Sequence, residues 1–130
     1  MITPQEEFMR LVRDTAQNNS GIDVKISLKE LDPKGGIYAE LGSGFVNVQY
    51  YDKSAVRIMP VLFLCRNERQ MNCVNQLSAI CNYLQSLKQY PQGDAVSWLN
   101  AVTAKEPNKI GRDEDGMYNY SCIVNCTVYF

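Results

Sequence analysis

The stretch from Met117 to Phe130 carries two interleaved sets of side chains, and it constrains the fold more than any other part of the chain. Tyr118, Tyr120, Cys122, Val124, Cys126, Val128 and Phe130 fall on one side of an extended strand. Met117, Asn119, Ser121, Ile123, Asn125, Thr127 and Tyr129 fall on the other, because successive side chains of a strand point to opposite faces. The first set is almost wholly apolar and the second is mixed. That is the pattern of a long strand with one face on a core and the other partly wet or covered by a partner.

The rest of the chain supplies elements to build around it. Thr3-Pro4-Gln5-Glu6 predicts a helix start, with Thr3 as the N-cap, Pro4 at the first helical position and Glu6 in the capping-box position. Phe8, Leu11, Val12 and Ala16 follow at helical spacing, and Asn18-Asn19-Ser20-Gly21 ends the helix. Ile22, Val24, Ile26 and Leu28 alternate with polar residues and predict a half-buried strand. After a turn at Asp32–Gly36, Ile37–Leu41 and Phe45–Tyr51 flank Gly42-Ser43-Gly44, which predicts a β-hairpin. Asp52-Lys53-Ser54 makes a further turn. Ala55–Cys65 begins with alternation and becomes continuously apolar at Val61–Leu64, as expected of a strand buried on both faces. Pro60 lacks a donor and predicts an edge position or a bulge.

Asn67 is placed to cap a second helix, with Gln70 in the box position. Its apolar stripe runs through Met71, Val74, Leu77, Ile80, Cys81, Leu84 and Leu87, and Tyr90-Pro91 closes it. Val96–Ala104 predicts a strand anchored by Trp98, and Lys105–Gly116 reads as a long polar connection that is mobile in the free subunit. The expected order is α-β-β-β-β-α-β-β, a single α+β domain over residues 1–130 with two helices packed on a mostly antiparallel sheet. An antiparallel meander is the simplest way to connect its first four strands.

Charge and cysteine usage narrow the function classes. Thirteen Lys and Arg against 14 Asp and Glu give no net field toward nucleic acid or anionic lipid, so no direct nucleic-acid recognition is expected. The longest apolar run, Ile58–Cys65, is interrupted by Pro60 and falls far short of the roughly 20 residues of a spanning helix, so no membrane partner is expected either. No basic segment followed by an apolar one opens the chain, and an intracellular protein is expected. Five cysteines then point to reduced thiols in the core.

Few residues could carry catalysis. Histidine is absent, which removes Ser-His and Cys-His nucleophile pairs. Cys73 and Cys81 on a helix and Cys122 and Cys126 on a strand lack zinc spacing. Asp113-Glu114-Asp115-Gly116 begins like a calcium loop, but Met117 and Val124 stand where oxygen ligands are needed, so a turn is expected. Gly42-Ser43-Gly44 matches no phosphate-binding fingerprint. No catalytic residue, metal or cofactor is assigned. The eight tyrosines reflect either strand propensity or an interface, where tyrosine is enriched.

The segment Glu106-Pro107-Asn108-Lys109-Ile110-Gly111-Arg112-Asp113-Glu114-Asp115-Gly116-Met117-Tyr118-Asn119-Tyr120, running into a long final strand, resembles the ending of small tailed-bacteriophage minor capsid proteins, which are similar to tail terminators or tail completion proteins. The resemblance in outline covers nearly the whole chain. It implies a non-enzymatic α+β subunit that assembles in the bacterial host cytoplasm into a virion. There it would form a homo-oligomeric ring, usually a hexamer, between the tail-tube protein and the head-connector proteins. Candidate interface residues are Tyr50, Tyr51, Lys109, Arg112, Asp113, Glu114, Asp115, Tyr118 and Tyr120. Other assignments left open are a head–tail connector or neck protein, a small cytosolic ligand-binding domain or histidine-free enzyme, and an adaptor that binds peptides along a sheet edge.

Overall fold

The computed structural model describes residues 2–130. Helix α1 spans Pro4–Asn19, and Thr3 caps it by accepting a hydrogen bond from the Glu6 amide at 3.2 Å. Its buried face is Phe8, Met9, Val12, Thr15 and Ala16. Seven further elements follow: β1 (Ile26–Ser27), β2 (Gly36–Leu41), β3 (Phe45–Gln49), β4 (Ala55–Asn67), α2 (Gln70–Ser86), β5 (Ser97–Arg112) and β6 (Tyr118–Tyr129). The main path through the sheet is β1-β2-β4-β6-β5, and β3 also pairs with β4. The α+β class and element order predicted from the sequence therefore hold, with both helices on one sheet face around a single core.

The first four strands do not form a meander. β2 and β3 both pair antiparallel with β4, end to end along the same edge, with Leu41 opposite Val61 and Phe45 opposite Ile58. The predicted hairpin at Gly42–Gly44 is a break within one long edge, and the true turn is Tyr50–Ser54, closed by the Tyr50 amide donating to the Ser54 carbonyl. Gly42 donates to the Pro60 carbonyl at 2.8 Å. The amide and carbonyl of one strand residue point the same way, so the donor that Pro60 lacks would face this break. A Cβ on Gly44 would lie 2.7 Å from the Ile58 carbonyl oxygen, which explains why glycine stands there. Pro60 thus sits in a central strand, in regular register with Asn125 of β6 and opposite the break between β2 and β3, neither at an edge nor in a bulge of its own strand.

β1 keeps only two residues of the predicted 22–28 strand, and it pairs parallel with β2 through Ile26 opposite Ile37. Its Ile26 amide also donates to Gln17 Oε1 on α1 at 2.9 Å, so the segment is held by the helix as much as by the ladder. Ile22, Val24 and Leu28 still pack against the core, which accounts for the alternation without a full strand.

Helix α2 starts three residues after the predicted cap. Asn67 ends β4, and its side chain accepts from the Arg69 amide at 2.9 Å in the turn before the helix. Cys73, Leu77, Ile80, Cys81 and Leu84 form the buried stripe. Met71 lies outside it at 58 % exposure, because two residues back along a helix is a rotation of roughly 200° from Cys73.

The polar segment 105–116 is mostly strand. β5 continues to Arg112, with register shifts at four places against β6, and only Asp113–Met117 turns. An outer strand wet on both sides shows no apolar periodicity, which is why sequence alone suggests a connection. Trp98 anchors its start as expected, edge-on to Phe8 at 5.7 Å and tilted against Tyr90 at 4.8 Å. Its indole N–H donates to the Asn100 carbonyl at 3.1 Å.

Candidate assembly surface

The strand β4 is apolar on both sides. Its odd-numbered side chains Met59, Val61, Phe63 and Cys65 enter the core beneath the helices, together with Cys122, Val124, Cys126 and Val128 of β6. Its even-numbered side chains Val56, Ile58, Pro60, Leu62 and Leu64 point to the helix-free face and are only half-buried. Cross-strand register extends them into rows: Tyr38, Leu64, Ser121 and Asn108; then Glu40, Leu62, Ile123 and Lys105; then Phe45, Ile58, Thr127 and Asn100. The centre of this face, on β4 and β6, is uncharged from Val56 to Leu64 and from Asn119 to Tyr129. An antiparallel sheet that faces water normally turns polar side chains outward. β4 does not.

Beyond that face the β3–β4 hairpin carries a second apolar group. Phe45, Val46, Val48, Tyr50 and Tyr51 are five of the eleven exposed large hydrophobics among the described residues, and Tyr51 is exposed at 106 %. Both faces of β3 are exposed. Its outer edge is also open: the amide and carbonyl of Ala55 both bond to Phe130, the residue after β6, so Gln49, opposite Ala55, turns its own outward. The same parity turns Val46, opposite Arg57, outward. Tyr50 packs edge-on to Tyr129 at 6.0 Å, and the Tyr129 and Ser54 hydroxyls meet at 2.8 Å. Within the turn, hydrogen bonds from the Ser54 hydroxyl and amide hold the Asp52 carboxyl below the usual carboxylate range.

The other sheet edge is closed. The Trp98 carbonyl accepts from Gln92 Nε2 at 2.8 Å and the Thr103 amide donates to Gln85 Oε1 at 3.3 Å. Further along β5, Lys105, Glu106, Pro107, Lys109 and Arg112 follow, the charges and proline with which natural sheets protect an edge.

The sequence-derived candidate residues separate into two clusters at opposite ends of β6, ~35 Å apart for its 12 residues at roughly 3.3 Å each. Tyr50 and Tyr51 lie at the Tyr129 end. Lys109, Arg112, Asp113, Glu114, Asp115, Tyr118 and Tyr120 lie at the other, where most are engaged within the subunit. Arg66 pairs with Asp113 and, at 2.8 Å, with Asp115, and its Nε donates to the Pro33 carbonyl at 3.0 Å. Lys109 and Arg112 sit over the Tyr118 ring at 5.2 and 5.4 Å. Glu114 is exposed in the turn. Tyr120 is turned into the core, its hydroxyl donating to Gln70 Oε1 at 3.2 Å, which leaves it little surface for a neighbour. Sequence reasoning passed over Phe45, Val46 and Val48, and over Leu62, Leu64 and Ile123. The signal for the first group is that Gly42–Tyr51 contains no charged residue.

All five cysteines are buried. Burial pushes the Cys65 and Cys73 thiols up and raises Cys126 to about 12. Cys122 is raised by its contact with Cys81, whose sulfur lies 3.4 Å away, and by desolvation. These four are protonated near neutral pH and are poor nucleophiles or ligands. Among the described residues, no group of three or more Cys, Asp or Glu side chains is placed to hold a metal ion. Among the same residues no helix is long and apolar enough to cross a membrane. An open groove of about 620 Å³ runs between α1 and the β1–β2 edge over Met9, Ile26 and Leu41. Its Arg10 and Arg13 are paired with Glu6 and Asp14 of their own helix.

No protein-family model and no curated protein matches the chain. Among solved structures, a chain from the "Virion of native gene transfer agent (GTA) particle" superposes with a TM-score of 0.72, covering 100% of both chains. Sequence identity over that alignment is 9%, so what the two chains share is a fold.

Proposed function

We propose that this protein is a non-catalytic structural component of a phage-like virion, a subunit that self-associates into a ring on the end of the tail tube at the head–tail junction. The observation that carries this reading is the whole-chain fold likeness to a virion protein. The surface supports it: a soluble subunit with a half-buried apolar sheet face and an exposed aromatic hairpin has more to cover than a monomer can hide. The sequence resemblance to tail terminators and minor capsid proteins points the same way. A ring held by repeated head-to-tail contacts needs two different patches on each subunit, and this chain has two apolar ones. A hexamer seated between tail-tube and head-connector proteins is the form that resemblance implies. Mixing purified protein with tail-tube protein tests it. Capped tubes of fixed length, with rings at one end in electron micrographs, are expected; uncapped tubes and free protein would reject it.

A further inference from the structure

We infer that the ring is closed by the aromatic hairpin of one subunit lying on the helix-free sheet face of the next. This rests on the ring proposed above and names its two contact surfaces. The helix-free face is the apolar stripe of β4, centred on Leu62 and Leu64, with Ile123 beside it on β6. A strand apolar on both sides belongs in a doubly covered sheet, yet the subunit's helices cover one side only.

What covers the other side is indicated by what the subunit leaves uncovered elsewhere. The hairpin holds nearly half of the most exposed large hydrophobics, compressed into Phe45–Tyr51. From Gly42 to Tyr51 it has no charged side chain, Asp52 and Lys53 following only in the turn, and the centre of the sheet face on β4 and β6 has none either, with Glu40 and Lys105 at its margins. Two uncharged apolar surfaces can be buried on each other without stranding an ion. The hairpin's own flank is continuous with its own sheet face through Phe45 and Ile58, so it cannot fold back on that face. Only another copy can bring the two together. The contact joins unlike patches, the head-to-tail geometry that a closed ring requires. Tyr51, wholly exposed at the tip, is the expected anchor, and the outward backbone groups of Val46 and Gln49 are available to a neighbour's polar groups.

The test uses two variants of the full chain. The doubly substituted V46K/Y51D changes only exposed side chains, and Leu62→Lys places a charge at the centre of the sheet face. A milder Ile123→Asn covers the case in which Leu62→Lys fails to fold, judged by circular dichroism and thermal melting. Each variant alone is expected to sediment as a monomer at concentrations where the parent forms rings. Mixed in equal amounts, the hairpin variant still offers a sound face and the face variant a sound hairpin. They should form a heterodimer that grows no further. If the hairpin variant assembles normally, or if the mixture stays monomeric, the hairpin-on-face contact is wrong while the ring stands on the parent's behaviour. If the parent forms only two-fold dimers, or never assembles with or without tube protein, the ring falls and this contact with it.

Discussion

Where β6 begins, the subunit matches its charges internally; where β6 ends, it leaves aromatic side chains in water. At the first end Arg66 bridges Asp113 and Asp115, and Lys109 and Arg112 lie on Tyr118. At the second, Tyr51 touches solvent all round and Tyr50 is half exposed. Opposite charges close together in a sequence suggest pairing with a neighbour, but three-dimensional proximity can satisfy them first. At the hairpin tip Tyr50 finds Tyr129 edge-on, but Tyr51 has no such intramolecular outlet. The difference teaches that the charged end is satisfied within the subunit, and in the proposed assembly the aromatic end is the one left to a neighbour.

The largest expected effect that separates the ends is on assembly. Tyr51→Ala should raise the concentration needed for self-association at least tenfold, about 1.4 kcal/mol or more for a buried interface aromatic, with subunit stability changed by less than about 0.5 kcal/mol. Sedimentation across a dilution series and a denaturant melt measure the two quantities. Arg66→Ala should do the reverse. It removes two partly exposed ion pairs and a bond to Pro33, a loss of roughly 1–2 kcal/mol in the melt with assembly unchanged. Weakened assembly in Arg66→Ala with an unchanged melt would mean that the charged end faces a neighbour after all.

Gly44→Ala sharpens the contrast from inside the hairpin. The new Cβ meets the Ile58 carbonyl, so the break between β2 and β3 must shift, at a cost of roughly 1–3 kcal/mol. Because Gly44 sits at the base of the hairpin, assembly should weaken as well, unlike in Arg66→Ala. Amide exchange over Phe45–Gln49 reads the shift directly.

How much of this was legible in the sequence depended on whether a residue's partner was local. The cap at Thr3, the buried face of β6 and the Trp98 anchor follow from spacing alone, and all three hold. The Gly42–Gly44 segment misled because glycine marks both turns and breaks, and only the alignment of β3 along β4 decides between them. The outer half of β5 was hidden because an edge strand wet on both sides carries no period. Tyr120 and Tyr51 are the same residue type and both were interface candidates, but Tyr120 lies on the core face of β6 and reaches Gln70, whereas Tyr51 stands in the hairpin turn. The continuous apolar run Val61–Leu64 did predict burial on both faces. Within one subunit only half of that is realised.

Two pH effects should be smaller. The Cys126 thiol is raised from its ordinary value near 9 to about 12, so its stabilising contribution is complete below pH 9 and is lost as pH rises toward 12. Melting temperature should therefore not respond to this group between pH 6 and 8, and thiol reagents should react slowly with folded protein. Asp52 has the opposite sign: its depressed value favours the hairpin turn above the ordinary carboxylate range, and that support is lost as pH falls through it. Because Asp52 is fully exposed, the change should be confined to the turn and visible as faster exchange of the Ser54 amide below about pH 4.

As proposed, the subunit closes a ring through its apolar sheet face and its aromatic hairpin. Light scattering over a concentration series, with the protein alone and with tail-tube protein at low and high salt, tests it most directly. Apolar contacts predict a monomer when dilute, a single closed oligomer when concentrated or seated on tubes, and little loss of assembly as salt rises. A strict monomer that neither binds nor caps tubes, or an assembly that dissolves in salt, would contradict it.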